Sequence, residues 1–243
     1  KQNIWKKLWR ALYSLYTRSV ELTKRKKILS TENLSNKVTY LPPTVQSNDF
    51  KSGRSDLFSH NDVYMAGWLF RNPLGLEKYR TTLLTVFTPN SQLMEKMNGI
   101  MSKIRQKYQK VIGLHIRQGD YKTWKGGKYF IEQKRIRTII DEYIANKGLK
   151  IQEILFLIMS DGSIEKELFE GLNIMISKEH AVVDLFLLSK TDTIIGSDSS
   201  FGHLASWFGN IPHIVMKSEK MDWEYYKDKN GYFQNKYCSM VHF

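Results

Sequence analysis

Short apolar runs alternate with amphipathic segments from residue 91 onward. The spacing of apolar positions predicts helices over 91–108, 131–146, 181–189 and 200–208, with Ser91 as the N-cap of the first and a further short helix from Ser163. The intervening apolar runs predict strands over 111–116, 153–159, 172–176, 193–196 and 213–216. Because short buried strands alternate with helices, we expect an α/β domain whose parallel sheet is covered on both faces.

The first ninety residues have a different pattern. Apolar residues at helical spacing over 4–22, with Lys and Arg on the other side, predict an amphipathic helix. This helix either packs on the protein or lies on an anionic membrane surface. Residues 30–60 are rich in Ser, Asn, Thr, Asp and Pro and predict a loop, and 62–70 predicts a strand. We therefore divide the chain into 1–90, 91–220 and a C-terminal tail, 221–243.

Composition and charge narrow the class of protein. Hydrophobic residues make up 42% of the 243 residues, which excludes a disordered chain, and the net charge of +13 indicates anionic partners. Residues 1–27 contain nine basic residues and one acidic residue, so most of the excess lies in a terminal segment suited to peripheral membrane contact. A nucleic-acid-binding module is the alternative, although the sequence has no RNA-recognition signature and we expect no nucleic-acid partner.

The single cysteine, Cys238, favours a reducing compartment. We predict a cytoplasmic protein, peripheral on the inner face of the membrane.

Three predicted strands end in turns of small and polar residues. These turns are 117–120 (Arg-Gln-Gly-Asp), 160–163 (Ser-Asp-Gly-Ser) and 196–200 (Gly-Ser-Asp-Ser-Ser). Because the carboxyl ends of parallel strands line the ligand crevice of an open sheet, we expect a binding site there.

The first turn places His115 and Arg117 on one side of a strand end, since side chains alternate along a strand. An arginine in this position can clamp phosphate oxygens, or it can pair with a carboxylate of the protein. His115 alone is more typical of a hydrogen-bonded structural histidine than of a catalytic one.

The last turn precedes a helix that begins near Ser200. The unpaired N–H groups of its first turn and the hydroxyls of Ser199 and Ser200 could form an anion pocket, or Ser199 could be an ordinary N-cap. Asp184 lies among apolar residues at the start of another helix, where it either caps the helix or accepts from the N1–H and N2–H of a guanine. Aromatic residues interleaved with lysines (Tyr121, Trp124 and Tyr129) could stack on a sugar or base, or form a solvated loop.

Several motifs of nucleotide and metal sites do not occur in the sequence. It has no Asp-x-Asp, no G-x-G-x-x-G and no P-loop, and its six histidines lack metal-ligand spacing. We therefore predict no metal and no cofactor.

The segments GLHIRQGDY and DLFLLSKTDTIIGSDSSFG resemble those of the GDP-fucose-dependent fucosyltransferases of GT-B architecture, which include α-1,2-, α-1,6- and protein O-fucosyltransferases. The shared pattern is His-x-Arg-x-Gly at a strand end, an Asp-Leu helix start and a strand ending in Ser-Ser-Phe, over about residues 100–216. The resemblance implies a GT-B-like protein with a Rossmann-type parallel sheet in 91–220 and a partial or divergent acceptor-side domain in 1–90.

The resemblance also implies roles for individual residues. Arg117 would hold the β-phosphate of GDP with His115 beside it, and Asp184 would recognise guanine. Ser199 and Ser200 would bind phosphate, with Phe201 packed near the base. Fucose would pass from GDP-fucose to a glycan hydroxyl, lipid-linked oligosaccharides included, with inversion and without a metal; another nucleotide sugar is the alternative donor. Asp120, at the same strand end as Arg117, is the first candidate for the general base, and a turn-capping role is the alternative.

The chain departs from the family pattern at two points. Many members carry a second arginine where this chain has Gln118, so Lys122, Lys128 or the helix at Ser200 would supply the missing positive charge. Many also carry a Gly-rich GGLGNQ-like segment that residues 1–100 lack. A non-catalytic relative is therefore a further alternative.

Overall fold

The computed structural model describes residues 73–234, together with Ala11, Leu12, Leu15 and the segments 27–30 and 63–66. Contacts divide the chain into two compact units, Lys1–Lys78 and Tyr79–Phe243. The division of the sequence into 1–90, 91–220 and 221–243 stays a prediction.

The described part of the first unit contains a two-stranded parallel sheet and a short helix. Strand β1 (Lys27–Ser30), which the sequence pattern does not predict, pairs with β2 (Val63–Ala66), which lies inside the predicted strand 62–70. Helix α1 follows at Pro73–Lys78. Ala11, Leu12 and Leu15 are helical and exposed. The rest of the predicted helix 4–22 and nearly all of the predicted loop 30–60 lie outside the described residues.

The second unit confirms the predicted alternation of strands and helices. Its strands are β3 (Lys110–Ile116), β4 (Ile154–Ser160), β5 (Ile174–Ile176), β6 (Thr193–Gly196) and β7 (His213–Val215). Its α-helices among the described residues are α2 (Arg80–Val86), α3 (Ser91–Lys107), α4 (Gln133–Lys147), α5 (Ala181–Leu188), α6 (Ser200–Gly209) and α7 (Trp223–Tyr226). All five predicted strands are present.

Two local predictions are wrong. The N-cap of α3 is Asn90, whose side-chain oxygen accepts from the Leu93 N–H at 2.9 Å, and not Ser91. The segment predicted to form a helix from Ser163 is instead a 3₁₀ turn at Lys166–Phe169, because the chain turns again at Gly171 with a φ of 84°.

The five strands form one parallel sheet in the order β5-β4-β3-β6-β7. β3 is the central strand, with Lys110 opposite Ile154 of β4 and Ile112 opposite Thr193 of β6. From β3 the chain moves outward through β4 and β5, then returns to β6 on the other side. The connections after β3 and β6 therefore leave a crevice between them at the carboxyl edge.

Helices cover the sheet on both faces, as the continuous apolar strands require. α4 lies on one face and buries Ile136, Ile139, Ile140 and Tyr143, which recur at helical spacing, and it ends at Gly148 with a φ of 58°. On the other face α3, α5 and α6 pack around Leu155, Leu157 and Ile194. Since α5 and α6 each run from a strand's carboxyl end toward the amino edge, their amino ends both lie at the carboxyl edge of the sheet.

Residues after β7 pack on the same face of the sheet as α4. The hydroxyl of Tyr226 accepts from the Val215 N–H at 3.1 Å, and Tyr226 and Tyr232 are buried. Among the helices of the described residues, none has both the length and the apolar character that a bilayer crossing requires.

Candidate functional site

Arg117 follows β3 directly and lies between two carboxylates. Its Nε donates to Asp120 Oδ1 at 2.9 Å, and its Nη1 lies 3.2 Å from Asp161 Oδ2, in the turn after β4. Burial opposes the charge of the guanidinium, yet the hydrogen bond to Asp120 and the field of Asp161 outweigh it and raise the pKa of Arg117. The described residues offer no hydrogen-bond partner to its Nη2. Arg117 is therefore held in place by the protein while keeping donors for a ligand.

The turn after β4 also shapes the backbone beside Arg117. Asp161 Oδ1 accepts from the N–H groups of Gln118, at 2.6 Å, and Gly119, at 3.3 Å. A Cβ on Gly119 would lie 2.7 Å from Asp161 Oδ2, so this approach requires glycine. One aspartate thus fixes the loop and the guanidinium together.

The loop between β6 and α6 lies next to Arg117. Ser197 Oγ accepts from the Arg117 N–H at 3.0 Å, and the Tyr121 hydroxyl donates to the Asp198 carbonyl at 2.7 Å. Ser199 is the N-cap of α6, and its Oγ accepts from the Phe201 N–H at 3.4 Å. The predicted arginine and the predicted anion pocket therefore meet at the switch point of the sheet.

His115 is buried behind these loops and stacks on Phe201, with ring centroids 5.0 Å apart. Burial, together with the nearby charge of Arg117, lowers the pKa of His115 to about 4, so the ring is neutral at pH 7. Its Nδ1 has no hydrogen-bond partner among the described residues. The first turn of α6 comes so close that a Cβ on Gly202 would lie 3.3 Å from this atom.

Asp184 lies farther out along the same edge. It is in the first turn of α5, and its Oδ1 accepts from the hydroxyl of Ser177, which follows β5. Burial raises the pKa of Asp184, and the hydrogen bond from Ser177 opposes the shift. The cap of α5 is His180, whose Nδ1 accepts from the Val182 N–H at 3.4 Å. Ser177, the partner of Asp184, follows β5, and β4 separates β5 from β3 in the sheet.

The structure thus brings together six of the seven predicted site residues in direct contacts or adjacent positions: His115, Arg117, Asp120, Ser199, Ser200 and Phe201. Ser200, the first and exposed residue of α6, lies between Ser199 and Phe201 in the chain. Asp184 shares no hydrogen bond or ring contact with any of the other six in the described part of the chain.

Sequence reasoning missed two features of this edge. Asp161 was within a turn that the pattern marks, but its contact with Arg117 joins residues from different strands. Asp198 contacts His203, which in turn contacts His213, and no spacing in the sequence connects them. The Asp-Gly pair after β4 was the available signal for Asp161; for the histidines there was none.

The crevice combines anion-binding donors with carboxylates. The donors are the Arg117 guanidinium and the N–H groups at the amino end of α6, and the carboxylates are those of Asp120, Asp161 and Asp198. The described residues contain no group of three His, Cys, Asp or Glu side chains arranged to hold a metal ion. The arrangement is suited to binding a phosphate group and stabilising negative charge on it.

Comparison with known proteins yields structural similarity only. No family model and no curated protein matches the chain. A solved structure of POFUT1 in complex with GDP-fucose has a TM-score of 0.48 at 13% identity, covering 69% of this chain and 56% of that chain. The α-1,6-fucosyltransferase NodZ, a protein from Bradyrhizobium, co-crystallized with GDP, has a TM-score of 0.42 at 13% identity, covering 62% and 54%. A mutant of Arabidopsis thaliana FUT1 in complex with GDP has a TM-score of 0.44 at 14% identity, covering 87% and 56%.

The chain spans just over half the length of these solved proteins. One of these solved proteins, NodZ, is a fucosyltransferase, and the sequence motifs of this chain resemble those of that family.

Proposed function

We propose that the protein transfers L-fucose from GDP-fucose to a glycan hydroxyl, with inversion and without a metal. The observation that carries the proposal is the junction of the two loops, where the Arg117 N–H donates to Ser197 Oγ at 3.0 Å. This hydrogen bond holds a guanidinium and a helix amino end beside one crevice. The identities of the donor sugar, fucose, and of the base, guanine, are inferred from the motif resemblance.

Arg117 binds the β-phosphate and stabilises the charge that develops on GDP as the sugar leaves. The two carboxylates that hold Arg117 fix its orientation, so little reorganisation is needed when the leaving group becomes more negative. The hydroxyls of Ser199 and Ser200 and the first-turn N–H groups of α6 bind the same diphosphate. Many family members carry a second arginine at the position of Gln118, and here Lys122 supplies that positive charge.

The nucleoside extends from the diphosphate along the carboxyl edge. Phe201 packs near the base with His115 behind it, and Asp184 accepts from the guanine edge. The shared edge supports this, because Asp184 lies in the first turn of α5, and α5 and α6 both begin at the carboxyl edge of the sheet. The prediction that Asp120 is the general base stays a prediction, which is tested below.

The motif resemblance implies that residues 1–90 form the acceptor-side region. The basic segment 1–27 would hold the enzyme on the inner face of a membrane, in the cytoplasm, near a lipid-linked oligosaccharide. This part of the proposal rests on the charge of residues 1–27 and on the single cysteine.

Calorimetric titration with GDP, UDP and a single-stranded RNA tests the proposal. Arg117→Ala should reduce GDP affinity at least 100-fold, because the guanidinium makes charge-assisted hydrogen bonds to the phosphate. Arg105→Ala is the matched control, since Arg105 has a similar exposed fraction but lies at the amino end of β3. Its GDP affinity should stay within threefold of the wild type.

Two results contradict the proposal. Arg117→Ala could bind GDP as the wild type does, or the wild type could bind RNA with a steep salt dependence and ignore GDP. Preference for another nucleotide would point to another nucleotide sugar as the donor.

A further inference from the structure

A chain of buried histidines lies behind the loop between β6 and α6. His203 Nε2, on α6, is 2.8 Å from Asp198 Oδ1, and His203 Nδ1 is 2.9 Å from Nδ1 of His213 on β7. Both histidine side chains are buried, at 0% and 2% exposed, whereas the Asp198 side chain is 28% exposed. A buried polar chain therefore ends at a single carboxylate on the surface of the crevice.

Hydrogen bonding fixes the protons along this chain. An ionised Asp198 only accepts, so His203 Nε2 carries a proton and donates it to Oδ1. Burial, followed by the fields of His203 and His115, lowers the pKa of His213 far below its usual value, so His213 is neutral. A neutral His203 whose Nε2 carries the proton accepts at Nδ1 from the Nδ1–H of His213. The chain thus orients one carboxylate oxygen and leaves Oδ2 without a hydrogen-bond partner among the described residues.

Asp198 also lies where an acceptor hydroxyl could reach it. It lines a pocket of about 360 Å³ at the carboxyl ends of β6 and β7, together with Lys128, Tyr129 and Lys217. Pockets of this size hold small-molecule ligands. Asp198 directly precedes Ser199 and directly follows Ser197, the partner of the Arg117 backbone. Asp198 therefore lines an open pocket, and its neighbours in the chain belong to the loop of the proposed phosphate site.

Asp120 has a different environment. Its Oδ1 accepts from the Arg117 Nε, and its side chain is 58% exposed in the loop. If Asp120 acted as the base and took up a proton, its carboxylate could no longer neutralise Arg117. The geometry favours Asp120 as a partner of the guanidinium.

We propose that Asp198 is the catalytic residue that accepts the proton of the incoming hydroxyl, and that His203 and His213 are positioning residues that orient its carboxylate. This rests on the proposed function. The acceptor oxygen forms a bond to C1 of fucose while its proton passes to Asp198 Oδ2. The bond from C1 to the β-phosphate oxygen breaks, and its electron pair leaves with GDP, which Arg117 stabilises.

Hydrolysis of GDP-fucose, with water as the acceptor, tests the proposal without knowledge of the glycan. Asp198→Asn, which keeps the size of the side chain, should lower the rate of GDP release at least 100-fold and leave GDP affinity within threefold. Asp141→Asn on α4, whose carboxylate pairs with Arg137, is the matched control and should retain the wild-type rate. If Asp198→Asn retains its rate, or Asp120→Asn alone loses it, the proposal is overturned.

A pH–rate profile tests the positioning residues. His203→Leu removes the N–H that favours the ionised carboxylate, so the acidic limb of the profile should move to higher pH; His203→Gln restores a donor and should move it back. The other charged or titratable groups near Asp198 are His115 and His213 behind it, Tyr121 beside it, and Lys128, Lys217 and Glu219 around the pocket. If the acidic limb of the pH–rate profile of His203→Leu matches that of the wild type, His203 does not position the carboxylate of Asp198.

Calorimetry separates the two levels of the proposal. A wild-type protein that binds no GDP overturns the proposed function. A wild-type protein that binds GDP and releases it from GDP-fucose, with an equally active Asp198→Asn variant, overturns the assignment of Asp198 alone.

Discussion

The central strand β3 has an arginine–aspartate pair at each end. At its amino end, Arg105 of α3 contacts Asp192, which precedes β6; at its carboxyl end, Arg117 contacts Asp161, which follows β4. The side chains of the first pair are 33% and 35% exposed, and those of the second 38% and 31%. Exposure therefore does not distinguish a structural pair from a candidate site.

The two pairs differ in how many of their donors and acceptors are already hydrogen-bonded within the protein, which we call hydrogen-bond saturation. Arg105 donates to both oxygens of Asp192, at 2.6 and 2.9 Å, and to the carbonyls of Gln109 and Lys190, while Asp192 also accepts from the Val111 N–H. Within the described residues the Arg117 guanidinium makes one hydrogen bond, to Asp120, and a longer contact with Asp161. The amino end is closed by the protein itself, whereas the carboxyl end keeps donors for an anion.

Asp192→Ala should have the largest effect on stability. It leaves the Arg105 guanidinium and the Val111 N–H without their acceptor, so we expect a loss of about 3 kcal/mol in the free energy of unfolding, measured by urea denaturation. GDP affinity of the folded protein should not change.

Asp120→Ala is the control at the other end of β3. Its carboxylate is more exposed and accepts one hydrogen bond from Arg117, so its effect on stability should be below about 0.5 kcal/mol. Equal losses in the two variants would mean that saturation does not separate the two ends.

The strands and the edge that carries the site were predictable from the sequence, because both depend on local pattern. Parallel strands buried on both faces read as continuous apolar runs, as at 111–116 and 193–196, and polar turns follow their carboxyl ends. Arg117 and Ser199 could be placed at one edge for this reason alone. The contact between their loops needed the strand order, which sets β6 beside β3 although 76 residues separate Thr193 from Arg117.

The partners within the site were not predictable, because each contact joins distant segments. Asp161 reaches Arg117 only because β4 is paired with β3, and His203 meets His213 only because α6 packs over β7. The wrong N-cap at Ser91 has a local cause: Asn90 and Ser91 are both good capping residues, and the pattern does not choose between neighbours.

Acid should destabilise the carboxyl end of β3 through His115. Its pKa is about 4 in the folded protein against 6.5 ordinarily, so between these values the unfolded chain binds a proton that the folded protein does not. The contribution of neutral His115 to the free energy of unfolding is fully present above pH 6.5 and is lost as the pH falls toward 4. Between pH 7 and pH 5 we expect a loss of about 2 kcal/mol from this group, and buried His213 acts in the same direction.

Urea denaturation at pH 7, 6 and 5 measures this effect. His115→Gln removes the titrating ring, so the dependence of the unfolding free energy on pH should be weaker in this variant by about that amount. An identical dependence in the wild type and His115→Gln would show that His115 is not protonated on unfolding in this range.

We expect a smaller effect than that of His115 at Asp184, which lies in the first turn of α5 and differs from both arginine pairs. Ser177 occupies its Oδ1, and Oδ2 has no hydrogen-bond partner among the described residues, so an ionised Asp184 can still accept from a guanine edge. Asp184→Asn replaces an acceptor by a donor, and the affinity for GDP should fall about 10-fold, about 1.4 kcal/mol, while UDP affinity changes less than twofold. Ser177→Ala is the control, since it removes the contact within the protein but keeps the carboxylate. Because a purely structural aspartate would affect both nucleotides alike, equal losses for GDP and UDP would assign Asp184 to the packing of α5 and not to recognition of the base.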